Sequence, residues 1–305
     1  MIAYIVRRLL WIIPVLFVVS IITFLLMHAV PGGPWDREKR LNDAVVATLN
    51  ARYGLDQPLP VQYLTWVSDF IRGDFGPSFR YPGREVTTIV AQGLPATIHL
   101  GLMAFALVIL IGIPLGIIAA LAHNRAPDYL ASGVSMIGIA TPSFVLATLL
   151  VLIFAAWLKV LPAIGWRGPD TWILPTIALA GYPIAQVARY TRASMLEVTR
   201  RDYIRTAQSK GLRDRAVVSR HMIRNALIPV VTIVGPIFAF LVTGSFIIEY
   251  YFGVPGIGRN YVQSIGTRDY SMIMAMTVLY AFAVAFMNLV VDVLYAYIDP
   301  RIRYG

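Results

Sequence analysis

The chain has 305 residues, 58% of them hydrophobic and 14% charged, with a formal charge of +10 and no cysteine. Soluble domains carry about 25% charged and about 45–50% apolar residues, so an ordinary water-soluble fold is excluded. Without cysteine, disulfides, thiolate nucleophiles, thiolate zinc sites and iron–sulfur ligation are excluded too.

Apolar runs of about 20 residues, the length needed to cross a bilayer, predict an all-α polytopic membrane protein with six transmembrane helices. In chain order they are roughly Leu9–Val30, Leu100–Ala122, Val134–Leu158, Trp172–Tyr190, Ala226–Phe252 and Met272–Ile298. Arg7 and Arg8 precede the first, which is too long for a cleaved signal peptide and reads as a retained anchor. The chain thus divides into an N-terminal helix (1–30), a small extracytoplasmic domain (31–95) and a five-helix core (96–300) that contains a loop at 191–225.

In the 31–95 segment Tyr63, Leu64, Trp66, Val67, Phe70 and Ile71 fall at helical spacing. Either this apolar stripe packs on the outer ends of the spans or it docks an external partner. Gly73-Asp74-Phe75-Gly76-Pro77-Ser78 follows with turn chemistry. Further on, Gly112-x-Pro114-x-Gly116, Thr141-Pro142-Ser143, Pro175 with Gly181 and Pro183, and Gly235-Pro236 interrupt the apolar runs. Such residues either serve close helix packing or kink helices around a solvated path. Pro142 and Ser143 are candidates for the path or its gate.

The loop Arg189–Asn225 carries ten basic and three acidic residues. Asp202 is expected to N-cap a short helix, Tyr203–Lys210, which ends on a left-handed Gly211 with Lys210 at its C-terminus. The basic face could meet anionic lipid head groups. Alternatively a helix–Gly–helix unit docks into a partner protein, its small residues Thr206, Ala207 and Gly211 letting it sit deep. No repeated basic–aromatic platform supports nucleic-acid binding.

Charge placement orients the spans. With the N-terminus inside, fifteen basic and five acidic residues lie inside, against eleven basic and nine acidic outside. Seven of the outer basic residues belong to the long first loop, which weighs little in the rule. Both termini are therefore expected in the cytoplasm. Glu249 and Asp292 fall inside spans, with no basic partner apparent and Asn288 one turn before Asp292. Asp292 reads as a polar contact to a neighbouring helix or as a path or gate residue. Glu249 reads as reaching interfacial water or as part of an outer gate. His28, His99, His123 and His221 have no metal-type spacing and read as packing or interfacial groups.

Arg205-Thr206-Ala207-x-x-x-Gly211 resembles the cytoplasmic Glu-Ala-Ala-x3-Gly signature of bacterial ABC importer permeases, without its leading acid and closing Pro. Those departures resemble the dipeptide/oligopeptide branch, which the chain matches along nearly its whole length. The matching stretches include Tyr4-Ile5-x-Arg7-Arg8, Gly73-Asp74-Phe75-Gly76-x-Ser78, Thr191-Arg192-Ala193-Ser194-Met195 and Arg224-Asn225-Ala226-Leu227-Ile228-Pro229. Others are Gly244-Ser245-x-x-x-Glu249, Pro255-Gly256-Ile257-Gly258, Arg268-Asp269-Tyr270, Val290-Val291-Asp292 and Asp299-Pro300-Arg301-Ile302-Arg303-Tyr304.

The resemblance implies a type I ABC importer permease core in a bacterial inner membrane, carrying half of a pathway for di- or oligopeptides. It implies a second homologous permease, two ATPase subunits and an extracytoplasmic solute-binding protein as partners, beside membrane lipid. Asp202, Tyr203, Arg205, Thr206, Ala207, Lys210 and Gly211 would couple to the ATPases. Similar branches carry nickel chelates, glutathione or sugars. The chain has no Walker A loop, so ATP and Mg are expected on the partners and no cofactor on this chain. An ion-coupled secondary transporter would call for midplane ionisable residues and an inverted repeat, and no repeat is seen. A membrane enzyme would call for a clustered acid–base or metal constellation, which is not apparent.

Overall fold

The computed structural model describes residues 2–35 and 42–298. The closing stretch from Asp299 and the residues 36–41 of the first outer segment lie outside the described residues. Twelve helices follow one another among those described. They are α1 (Ile2–Ala29), α2 (Asp43–Tyr53), α3 (Leu59–Ile71), α4 (Val86–Leu121), α5 (Ala126–Ala140), α6 (Ser143–Trp157), α7 (Pro169–Thr199), α8 (Asp202–Ser209), α9 (Asp214–Thr243), α10 (Phe246–Phe252), α11 (Ile257–Thr267) and α12 (Tyr270–Ile298). Five of them, α1, α4, α7, α9 and α12, are long and apolar enough to cross a membrane. The bent α5–α6 pair passes the same test of length and composition only when its two helices are taken together, and then counts as a sixth span.

Three expected spans change shape. The run 134–158 is not one helix: α5 and α6 meet at a bend of 109°. Pro142 has no N–H to donate and disfavours helical backbone at Thr141, whose φ and ψ are −90° and 117°. The run 226–252 breaks at Gly244, where φ 99° and ψ 162° suit only glycine, and Ser245 then caps α10. The second span starts at Val86, so the helix takes over the last residues assigned to the 31–95 segment.

The chain forms two compact units, one of residues 1–97 with 255–305 and the other of residues 98–254. In the first, α1 packs along α12. Phe24 and Met27 of α1 meet Met274 of α12, with Tyr63 and Trp66 of α3 packed on them. The apolar stripe of α3 is therefore split. Tyr63 and Trp66 face the spans, whereas Leu64 and Ile71 are exposed. Two motifs far apart in sequence meet at Asp269, which is buried. Its carboxylate accepts the Ser78 hydroxyl at 2.5 Å and the Arg80 and Met272 amides at 3.2 Å, so it clamps the 73–81 turn and caps α12 at once.

In the second unit α7 is the central helix, packed by α4, α5, α6 and α9. Glycines let its neighbours approach to backbone contact. A Cβ on Gly116 would lie 2.5 Å from the Ala188 carbonyl oxygen, and one on Gly138 2.8 Å from the Ala185 methyl. On α7 itself, a Cβ on Gly181 would lie 2.4 Å from a Leu146 methyl. Close packing thus accounts for Gly116 and Gly181, two of the small residues that interrupt the apolar runs.

Candidate functional site

The short helix α8 stands between α7 and α9, separated from them only by residues 200–201 and 210–213. Ile204 and Ala207, one turn apart, are buried against Met195 and Val198 of α7 and Val217, Met222 and Ala226 of α9. The other face is polar and exposed: Asp202, Tyr203, Arg205, Thr206, Gln208, Ser209 and Lys210. An eight-residue helix is marginal on its own, so its stability comes from that two-residue apolar stripe. Of the sequence-selected residues, Asp202, Tyr203, Arg205, Thr206 and Ala207 sit on α8, and Lys210 and Gly211 form its C-terminal cap.

Two expectations for α8 are corrected. Asp202 is not the N-cap: Arg201 holds that position without a side-chain cap, and Asp202 lies in the first turn, where a negative charge still suits the helix dipole. Ala207 points inward and anchors α8 to its own spans, so it is not a surface that enters a partner. Its small size serves packing at home. Gly211 does take the left-handed conformation, φ 74°, with its N–H on the Gln208 carbonyl at 2.9 Å and the Leu212 N–H on that of Ala207 at 3.3 Å. Nothing lies within 4 Å of a Cβ built there, so backbone conformation and not space calls for glycine.

The two flanking helices are tied above α8. The Ser194 hydroxyl of α7 donates to the Ala226 carbonyl of α9 at 2.7 Å. Arg192 of α7 grips Asp128 of α5 through Nε to Oδ1 at 2.5 Å and Nη2 to Oδ2 at 2.8 Å. The Asn124 amide donates to the same carboxylate at 2.9 Å, and His123 Nδ1 lies 3.3 Å from it. Asp128 is 2% exposed, so this multiple satisfaction is what makes its charge tolerable. Sequence reading missed the cluster because 64 residues separate the pair. Its one signal was that Arg192 stands in a family-like stretch. His123, read as a packing or interfacial group, also belongs to an electrostatic cluster.

The remaining sequence-selected residues are spread along the chain. Pro142 and the half-buried Ser143 form the α5–α6 bend. Glu249 lies in α10 and is fully buried within this chain, which corrects the expectation that it reaches interfacial water. Asn288 and Asp292 lie one turn apart on α12. Asp292 accepts the Tyr4 hydroxyl at 3.2 Å and pairs with Arg8 at 3.1 Å, so it joins α12 to α1 and has the basic partner that the sequence did not reveal.

Residues 112–304 match the family model described as the binding-protein-dependent transport system inner membrane component, and residues 1–101 match the model of its N-terminal part. The chain is 43% identical to the dipeptide transport system permease protein of Bacillus subtilis, over 98% of this chain and 97% of the relative. It is 44% identical to the oligopeptide transport system permease protein of Salmonella typhimurium, over the full length of both. Among solved structures, an inward-facing MetNI methionine ABC transporter matches with a TM-score of 0.57 at 18% identity, over 69% of this chain and 96% of that one. An amino acid ABC transporter matches with a TM-score of 0.54 at 19% identity, over 69% and 94%.

Proposed function

The chain belongs to the family of binding-protein-dependent transport system inner membrane components, as a polytopic permease subunit of an ABC importer, and from that premise we propose its cargo, partners and coupling site. The cargo is a di- or oligopeptide, a reading supported by the names of relatives that match from end to end. A second, related permease supplies the other half of the pathway. Two ATPase subunits bind α8 and hold ATP and Mg, and an external solute-binding protein delivers the peptide. Both termini lie in the cytoplasm of a bacterial inner membrane, as the excess of basic residues on that side suggests.

The observation that carries the coupling reading is the two-faced construction of α8. Its inner face is locked to α7 and α9, and its outer face is exposed and polar. A nucleotide moves such a machine only by preferring one of two states, here the closed ATPase pair. Closure displaces whatever is seated on the ATPases. Because Ile204 and Ala207 fix α8 to both neighbouring helices, that displacement reaches the spans and is not lost in a loose loop.

Reconstitution in proteoliposomes tests this, with the second permease, the ATPases, the binding protein and a labelled tripeptide. Tyr203→Ala and Lys210→Glu alter only the exposed face of α8. They are expected to leave insertion and helix content intact while ATPase association and ATP-driven uptake fall. Undiminished uptake by both variants would remove α8 from the coupling role. Uptake of nickel chelates or sugars in place of peptides would overturn the cargo.

A further inference from the structure

Arg189 and Arg192 stand three residues apart on α7, so they project from one face of it, where its apolar stretch gives way to the segment leading into α8. Their charges are not equivalent. Arg192 is matched by both oxygens of Asp128. Arg189 is exposed, and its guanidinium makes no hydrogen bond or ion pair with any described residue. Both arginines line a pocket of about 310 Å³ between α4, α5 and α7. Among the described residues, no carboxylate or side-chain amide joins them in the lining.

Protein contacts fix the frame of this pocket. At one end Arg192 holds Asp128 of α5. Farther along the same pair of helices, a Cβ on Gly138 would lie 2.8 Å from the Ala185 methyl. Between those contacts α5 offers two hydroxyls, Ser132 and Ser135. Ser132 reaches the Asp128 carboxylate only at 3.4 Å. Ser135 is 4% exposed, yet its hydroxyl makes no hydrogen bond with a described residue. A buried hydroxyl without a partner is costly, so it calls for one from outside the chain. Deeper still, Met136, Ile139 and Ala140 of α5 and Leu115 of α4 leave only apolar surface.

Inward from the α8 side, the pocket therefore runs from guanidinium to hydroxyl to hydrocarbon. A phospholipid presents phosphate, ester carbonyl and acyl chain in the same order. A peptide matches less well. Its several N–H groups would find only the two serine hydroxyls as oxygen acceptors among the lining side chains, because an arginine accepts none. We propose that this pocket seats an acyl chain of an anionic phospholipid, with the phosphate on Arg189 and an ester carbonyl on Ser135. The lipid belongs to the leaflet on the α8 side of the membrane. Basic pockets between spanning helices suit such head groups. Seated there, the lipid neutralises the spare charge of Arg189 and fills the slot beside the Asp128–Arg192 pair. The inference uses neither the cargo reading nor the coupling reading.

The test uses the assembled transporter in phosphatidylcholine nanodiscs. These carry a trace of phosphatidylglycerol with a diazirine in its acyl chain or, in parallel, phosphatidylcholine labelled in the same way. After irradiation, adducts are mapped by peptide mass spectrometry. Met136, Ile139 and Ala140 should carry about fivefold more adduct from the anionic probe, the preference that one arginine confers on a charged lipid. Added salt should shrink that ratio. Arg189→Gln should bring it to about one, while labelling of the exposed Leu10, Trp11 and Ile13 of α1 stays unchanged. Ser135→Ala, which leaves the charge alone, should lower both yields and keep their ratio. Equal labelling of the pocket by both probes in the unaltered protein, or a preference that survives Arg189→Gln, overturns the proposal. So does the absence of adducts there, which would show the slot covered by the second permease. Displacement of the anionic probe by glycerol 1-phosphate as readily as by unlabelled phosphatidylglycerol would make it a free-phosphate site. Displacement by a lower concentration of trialanine would make it a cargo station. Either result overturns the lipid.

Discussion

Two carboxylates each tie one helix to another far along the chain, and they are satisfied in different ways. Asp128, 2% exposed, receives both arms of Arg192, a backbone amide and the neighbourhood of His123. Asp292, 23% exposed, pairs with Arg8, itself half exposed, through one Nη2–Oδ2 approach at 3.1 Å and accepts the Tyr4 hydroxyl. A buried carboxylate survives only when nearly all of its acceptor sites are filled, since the bare charge costs several kcal/mol. A partly exposed one, paired with an arginine that is half exposed, loses less solvation and gains less from its pair. The first pair therefore fixes the ends of α5 and α7 rigidly, while the second is an adjustable contact between α1 and α12.

The largest effect is expected from Asp128→Ala, which leaves Arg192 without its partner. A loss of about 3–5 kcal/mol should appear as a lower unfolding midpoint of the solubilised protein. A loss below about 1 kcal/mol would place the two acids in the same class. Adding Arg192→Leu should then recover roughly 0.5–3 kcal/mol, because the stranded charge goes with it. No recovery would mean that Asp128 acts through the Asn124 turn and not through the ion pair. Gly211→Ala, remote from both acids, calibrates the scale with backbone strain of about 1–2 kcal/mol. Hydrogen exchange should confine its effect to residues 202–213. The smallest effect belongs to Asp292→Asn, roughly 0–1 kcal/mol, and a larger one would show that the α1–α12 contact is held as firmly as the α5–α7 one.

How much of this the sequence revealed depended on the range of each interaction. Long apolar runs found the spans, because lipid acts on every residue of a run alike. Gly211 was legible because a left-handed cap has a one-residue signature. The bend at Thr141-Pro142 and the break at Gly244 were visible as residues. Their size was not, because a bent pair and a kinked helix share the same punctuation. Ile204 and Ala207 stand three apart and mark the inward face of α8, yet the small size of Ala207 suggested a partner's groove instead. The pairs Asp128–Arg192, Ser78–Asp269 and Arg8–Asp292 bridge 64, 191 and 284 residues, and no local pattern can announce them.

One helix is also longer than a bilayer requires. Thirty residues from Asp214 to Thr243 give α9 a length of about 45 Å, against about 30 Å of hydrocarbon. The charged residues Asp214, Arg215, Arg220 and Arg224 all fall in its first eleven positions, about 16 Å, and the rest carries no charge. The charged portion is thus surplus to the length a bilayer covers, and it is against this portion, at Val217 and Met222, that α8 packs.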